Sequence, residues 1–120
     1  MLCSVQRRQA EARGRLAEDS VAAIWRSRGY SVLAQRLRTK SGEIDLVVAD
    51  STTLVFVEVK ARSSFAQAAY AVPPRQQARL LDAACAALGE HAEWQRPDTR
   101  FDVALVCGRA VRHIRDAIRY

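Results

Sequence analysis

Asp45, Glu58 and Lys60 combine two carboxylates and a primary amine near the ends of two apolar runs. The chain carries seventeen arginines and only two lysines, so Lys60 stands where nearly every other cation is a guanidinium. An ammonium is a compact point charge whose pKa falls readily on burial, whereas arginine stays protonated. The runs Ile44–Ala49 and Leu54–Val59 are short and β-branched, and Asp50-Ser51-Thr52-Thr53 joins them, which predicts a hairpin. If it closes symmetrically about Ser51-Thr52, Asp45 faces Glu58. Opposed side chains on such a pair lie roughly 4.5–5.5 Å apart at Cβ, where like charges repel.

Two carboxylates held together need a cation. Lys60, two residues beyond Glu58 on the same strand face, supplies part of that charge. A hard divalent ion would supply the rest; Mg²⁺ (or Mn²⁺) suits one or two carboxylates and keeps waters for substrate phosphates. Such a centre fits phosphodiester hydrolysis, with a polarised phosphoryl oxygen and an activated water. Lys60 could orient or deprotonate that water, or stabilise developing charge. The competing reading is a structural Glu58–Lys60 ion pair at a strand end.

The elements that must position these groups follow from periodicity. Gln9–Arg28 reads as an amphipathic helix with Leu16, Ala17, Val21, Ile24 and Trp25 as its apolar stripe, closed by Gly29. Tyr30–Arg38 reads as a strand, and Lys40-Ser41-Gly42 as a turn. In Leu54–Lys60, Val55, Val57 and Val59 face one way while Leu54, Phe56, Glu58 and Lys60 face the other. Because both faces are apolar, this strand is expected at the centre of a covered sheet. Ala61–Val72 reads as a loop. Pro73-Pro74 opens a second helix with a stripe of Leu80, Leu81, Ala84, Cys85 and Leu88, stopped by Gly89. A strand is expected near Phe101–Cys107, with one more strand or a short helix in the tail.

Length and composition set the class. The 120 residues fit one domain, about half apolar and a quarter charged. No run reaches the ~18 apolar residues of a membrane span, and no secretory signal is visible. Three widely spaced cysteines fit neither a disulfide framework nor a zinc site, so a cytoplasmic location is expected. The whole net charge of +6 lies in residues 1–40, a one-sided basic surface that attracts polyanions, nucleic acid above all.

The segments Gly14-Arg15-Leu16-Ala17-Glu18, Arg28-Gly29-Tyr30, Gly42-Glu43-Ile44-Asp45-Leu46-Val47, Leu54-Val55-Phe56-Val57-Glu58-Val59-Lys60-Ala61-Arg62 and Arg100-Phe101-Asp102-Val103 together resemble the YraN family of small bacterial proteins. That family resembles the PD-(D/E)xK, or restriction-endonuclease-like, nucleases and is similar in outline to archaeal Holliday-junction resolvases. The resemblance implies an α/β fold: a single restriction-endonuclease-like domain over residues 1–120, with a mixed central sheet flanked by helices. It also implies Asp45 and Glu58 as metal ligands with the Val59 carbonyl, Lys60 as catalytic, and Glu18 as an additional acidic residue of the site. The alternative for Glu18 is a solvated carboxylate beside Arg15. The chain departs from the family pattern at Ala17, where a glycine is usual, and at Gln35-Arg36, where Arg-Asn is frequent. It departs again at Gln76, where a lysine is common.

Arg36, Arg38, Lys40, Arg62, Arg75 and Arg79 are candidate phosphate contacts, with Gln76 beside them. Trp25 is expected to pack in the core. Trp94 is open between stacking on a base and packing in its loop. Asp102 is expected to form a structural ion pair, and neither His91 nor His113 has a partner at ligand spacing. These features together suggest a metal-dependent nuclease acting on DNA, at branches or ends. The rivals are a nucleic-acid-binding module without catalysis and a protein-interaction adaptor. Branched substrates would favour a homodimer, because two cuts need two sites.

Overall fold

A computed structural model describes residues 3–65 and 72–118. Its elements are α1 (Ser4–Ser27), β1 (Ser31–Thr39), β2 (Gly42–Ala49), β3 (Thr53–Ala61), α2 (Pro74–Glu90), a 3₁₀ turn (Ala92–Trp94), β4 (Asp98–Cys107) and β5 (Ala110–Ile114). They form a mixed five-stranded sheet in the order β1-β2-β3-β4-β5. β1, β2 and β3 run antiparallel in sequence, β4 lies parallel to β3, and β5 returns antiparallel. A parallel neighbour cannot be reached by a tight turn, and α2 lies in the segment that crosses from β3 to β4. The α/β fold expected from the sequence is the one observed.

Each helix covers one face. On one side Ala17, Val21, Ala22 and Trp25 of α1 pack with Leu46, Val48, Val55, Val57, Ala104 and Val106. On the other, Leu80, Ala83, Ala84 and Ala87 of α2 pack with residues that include Val47, Leu54, Phe56, Phe101 and Leu105. Alanines on the helices meet large side chains on the sheet, which lets the helix backbones approach closely. Phe56 and Phe101 stack at 5.4 Å across the parallel pair. β3 is buried on both faces from Leu54 to Val57, as its doubly apolar pattern predicts.

The β2–β3 turn sets the register. Asp50 Oδ1 accepts hydrogen bonds from the Thr52 and Thr53 amides at 2.9 and 2.8 Å, and the Asp50 amide donates to the Thr53 carbonyl. A side chain that mimics a backbone turn in this way fixes loop length and therefore pairing. Leu46↔Val57 and Ala49↔Leu54 are paired, the register expected from closure about Ser51-Thr52.

Several expectations need correction. α1 begins five residues earlier than its apolar stripe predicts, and Leu16, assigned to that stripe, is 67% exposed. Full burial on α1 begins only at Ala17. Cys85 is exposed, and Ala83 and Ala87 take the core positions of α2. Gly89 does not stop the helix, which continues to Glu90 and is capped by His91. Trp94 is 9% exposed within the α2-side core and stacks on His91 at 3.9 Å, so packing, not base stacking, is its use. Of the loop expected over residues 61–72, Ala61 ends β3, and 66–71 lie outside the described residues.

Asp102 forms the ion pair expected of it. It is fully buried, and Arg100 binds both its oxygens at 2.8 and 2.9 Å. The Asp116 amide donates to the same carboxylate, and the Ala117 amide donates to the Phe101 carbonyl, which seats Ile118 in the core. Removing one partner of such a pair leaves an uncompensated charge. Asp102→Ala should therefore cost about 3–5 kcal/mol in urea unfolding; a loss below about 1 kcal/mol would show that the pair does not anchor the tail.

Candidate metal centre

The candidate site forms where the pairing of β2 skips a position towards β1 and ends towards β3. The β1–β2 ladder pairs Leu37 with Ile44 and Gln35 with Leu46, but the Arg36–Asp45 position between them is unpaired. On the other side the β2–β3 ladder ends at Leu46↔Val57. Ile44 packs with the α2-side core while Leu46 and Val48 pack against α1, so the alternation of faces slips at Asp45. The Asp45 carboxylate fills the gap: Oδ2 accepts the Val59 amide at 2.8 Å. Asp45 therefore reaches β3 through its side chain, one step beyond the position where the backbone ladder stops.

Glu58 and Lys60 lie on the adjoining end of β3, with Lys60 Nζ 2.9 Å from Glu58 Oε1. Glu18, on α1, has a side chain only 12% exposed and lies 2.7 Å from Arg36 Nη1. The solvated-carboxylate alternative, with Arg15 as its neighbour, does not describe it. Arg36 reaches it from a left-handed backbone conformation, φ +50°, which costs a non-glycine residue energy. Its guanidinium is also 3.9 Å from Asp19.

The charges do not balance. Lys60 neutralises Glu58 and Arg36 neutralises Glu18, which leaves Asp45 with no cation of its own among the described residues. Burial first, and then the nearby Glu58, push the Asp45 pKa up to about 8; the Val59 amide opposes this, Glu18 adds to it and Lys60 offsets part. A carboxyl in this state lacks a positive charge, and a divalent cation would supply it. Asp45, Glu58 and the Val59 carbonyl could hold such an ion, with Glu18 nearby. Among the described residues no three acidic, histidine or cysteine side chains converge closely enough to form a cage. That donor set suits an ion that keeps much of its water, as Mg²⁺ does.

On the α2 side of this point is a cleft of about 210 Å³ lined by Glu43, Glu58, Lys60, Gln76, Arg79 and Leu80. Gln76 and Arg79 thus lie beside the carboxylate–amine pair. Arg79 lies against Gly42, where an added Cβ would come within 3.1 Å of its side chain, at a φ of +140° that favours glycine. Arg38 and Arg75 are exposed and do not line this cleft. Arg62 lines a different cavity, on the α1 side. Glu43 was missed from the sequence, although its place two residues before Asp45 in Gly42-Glu43-Ile44-Asp45 was the signal that could have found it.

The raised pKa has a direct consequence. Between the ordinary carboxylate value of 3.8 and about 8, the folded metal-free protein holds a proton on Asp45 that the unfolded chain releases. This contribution to stability is fully present below 3.8 and is lost as pH rises through about 8. Asp45→Asn keeps the acceptor for Val59 and removes the charge. It should raise metal-free stability near the upper end of this window by on the order of 2 kcal/mol and flatten the pH dependence of the melting temperature. An unchanged melting profile would show that Asp45 carries no such cost.

The model of the uncharacterised protein family UPF0102 matches residues 17–106, a span from the buried half of α1 to the end of β4. A UPF0102 protein of Acidiphilium cryptum (strain JF-5) is 57% identical over 113 residues, covering 94% of this chain and 88% of its own. The UPF0102 protein bll0669 of Bradyrhizobium diazoefficiens is 45% identical over 114 residues, covering 94% and 86%. A UPF0102 protein of Parvibaculum lavamentivorans is 47% identical over 107 residues, covering 88% and 80%. The match takes in Glu18, Asp45, Glu58 and Lys60 together with the sheet that positions them, and the chain belongs to the UPF0102 family, the YraN-type family that its motifs resemble.

Proposed function

We propose that this protein is a metal-dependent nuclease that hydrolyses DNA phosphodiester bonds, on the restriction-endonuclease-like plan its motifs resemble. The observation that carries this reading is the uncompensated carboxyl of Asp45 near the Glu58–Lys60 pair, which itself lines a cleft with Arg79 and Gln76. A purely structural ion pair accounts for Glu58 and Lys60 but gives no reason to bury another carboxyl next to them.

A bound Mg²⁺ or Mn²⁺ would polarise the phosphoryl oxygen and supply a water of lowered pKa. Asp45, Glu58 and the Val59 carbonyl would hold it, with Glu18 beyond. Lys60, held at Glu58, orients the attacking water or stabilises charge developing on the phosphoryl group. Arg79 offers a planar fork to a neighbouring phosphate, and Gln76 a neutral hydrogen-bond donor where relatives commonly carry a lysine. Arg36 serves indirectly, since its guanidinium is committed to Glu18.

A second reading, a nucleic-acid-binding module without cleavage, is favoured by the exposed half of α1. Arg7, Arg8, Arg13 and Arg15 stand there against a single acid, Glu11, on a stretch with no fully buried residue before Ala17. Branched DNA would call for a homodimer under the first reading and not under the second.

Purified protein incubated with labelled single-stranded, duplex, flap and four-way-junction DNA decides between them. The nuclease reading expects cleavage that requires Mg²⁺ or Mn²⁺ and stops in EDTA. Asp45→Ala and Lys60→Ala should each fall by about 10²–10⁴-fold with the circular dichroism spectrum unchanged. Because a metal must displace the Asp45 proton, the rise in melting temperature on adding Mg²⁺ should be larger near pH 8 than near about pH 6. Full activity in either variant would overturn the assignment, and salt-sensitive binding without cleavage by any preparation would favour the second reading.

A further inference from the structure

A second cavity does not belong to the candidate metal centre. It has a volume of about 570 Å³ and lies on the α1 side of the sheet, with Arg13, Leu16, Ala17, Arg62, Ser63 and Val106 in its lining. Its chemistry is divided. Leu16 gives it an exposed apolar side chain beside the nearly buried Ala17 and Val106, Arg13 and Arg62 also line it, and no described lining residue carries a carboxylate. A ligand complementary to it has an apolar face and an anionic group, within the size range of small-ligand pockets. Leu16 is the exposed leucine that the helix stripe does not explain, and this cavity is where it lies.

The cavity adjoins the metal centre through two elements. Ala17 of α1 precedes Glu18, and Ala61 of β3 follows Lys60, with Ala61 and Arg62 both in the lining. Successive strand residues face opposite ways, so β3 turns Lys60 to the α2-side cleft and Ala61 to the α1-side cavity. One strand of nucleic acid crossing this end of the sheet could therefore reach both.

The geometry points to a nucleotide subsite: the cavity holds one nucleotide of a single strand that continues to the Glu58–Lys60 cleft, its base against Leu16 and its phosphate between Arg13 and Arg62. The proposal rests on the nuclease reading and deepens it, because it makes a locally unpaired strand the substrate. Base contact through apolar side chains is indifferent to sequence, and the two arginines contact the backbone alone. The subsite thus selects strandedness and not sequence.

The test measures binding of a labelled oligodeoxythymidylate across a salt series in EDTA, in an Asp45→Asn background, so that cleavage plays no part. Arg13→Gln and Arg62→Gln should each reduce the slope of log K against log salt by about 0.7, the single-strand value for one phosphate contact. Leu16→Ser, at an exposed position where folding is indifferent, should weaken binding by about tenfold and leave that slope unchanged. Unchanged slope and affinity in these variants would overturn the subsite while leaving metal-dependent cleavage, measured separately in otherwise wild-type protein, untouched. Equal affinity for thymidine monophosphate would overturn the continuous strand, and equal competition by polyglutamate would overturn the nucleotide. If binding follows the prediction but no preparation cleaves, the subsite stands and the nuclease reading falls.

Discussion

The bond between Asp45 and the Val59 amide is the contact on which the end of this sheet depends. Backbone pairing between β2 and β3 stops one position short of Asp45, and a carboxylate takes over from a carbonyl as acceptor. That substitution keeps the strands together while bringing an ionisable group to the strand whose next turn-out positions are Glu58 and Lys60. It also sets the cost, since the oxygen atoms are drawn from water towards another carboxylate. A sheet completed by ordinary ladder bonds here would be more stable and chemically inert. Sites of function are where such local losses are found.

The two covering layers let the sheet tolerate this. β3 is buried on both faces just before the site, and α1 and α2 press on it from opposite sides. Ladder and core together hold the strand ends, so the interruption at Asp45 and the left-handed backbone of Arg36 can persist. Arg36 in turn ties β1 to Glu18, so a strained residue on the edge strand fixes the acidic residue contributed by α1. The centre is assembled from α1, β2 and β3, and both strands are buried in the core just beside it.

The fold was largely legible in the sequence, because its signals are local. Alternating apolar residues gave β3 its two buried faces, the Asp50-Ser51-Thr52-Thr53 turn fixed the register, and prolines marked the start of α2. Asp45, Glu58 and Lys60 could be brought together by counting across one hairpin. What escaped depended on distant packing. Leu16 falls on the helical stripe yet is exposed, and Trp94 lies in a polar stretch yet is buried; periodicity carries neither. The partnership of Glu18 with Arg36 needs a left-handed residue on a strand, which no propensity anticipates. Gln76 and Arg79, both candidates from the sequence, line the cleft, but the close approach of the Arg79 side chain to Gly42 was not legible there.

The two tryptophans have a consequence of another kind. Trp25 belongs to the layer between α1 and the sheet, and Trp94 to the layer between the sheet and α2. Each has an imidazole beside it: His113 edge-on at 5.2 Å from Trp25, His91 stacked at 3.9 Å on Trp94. The molecule therefore carries one tryptophan per layer, each with an imidazole against its ring. Replacing either indole with phenylalanine isolates the emission of the other, and the two halves of the core can be watched opening together or one before the other.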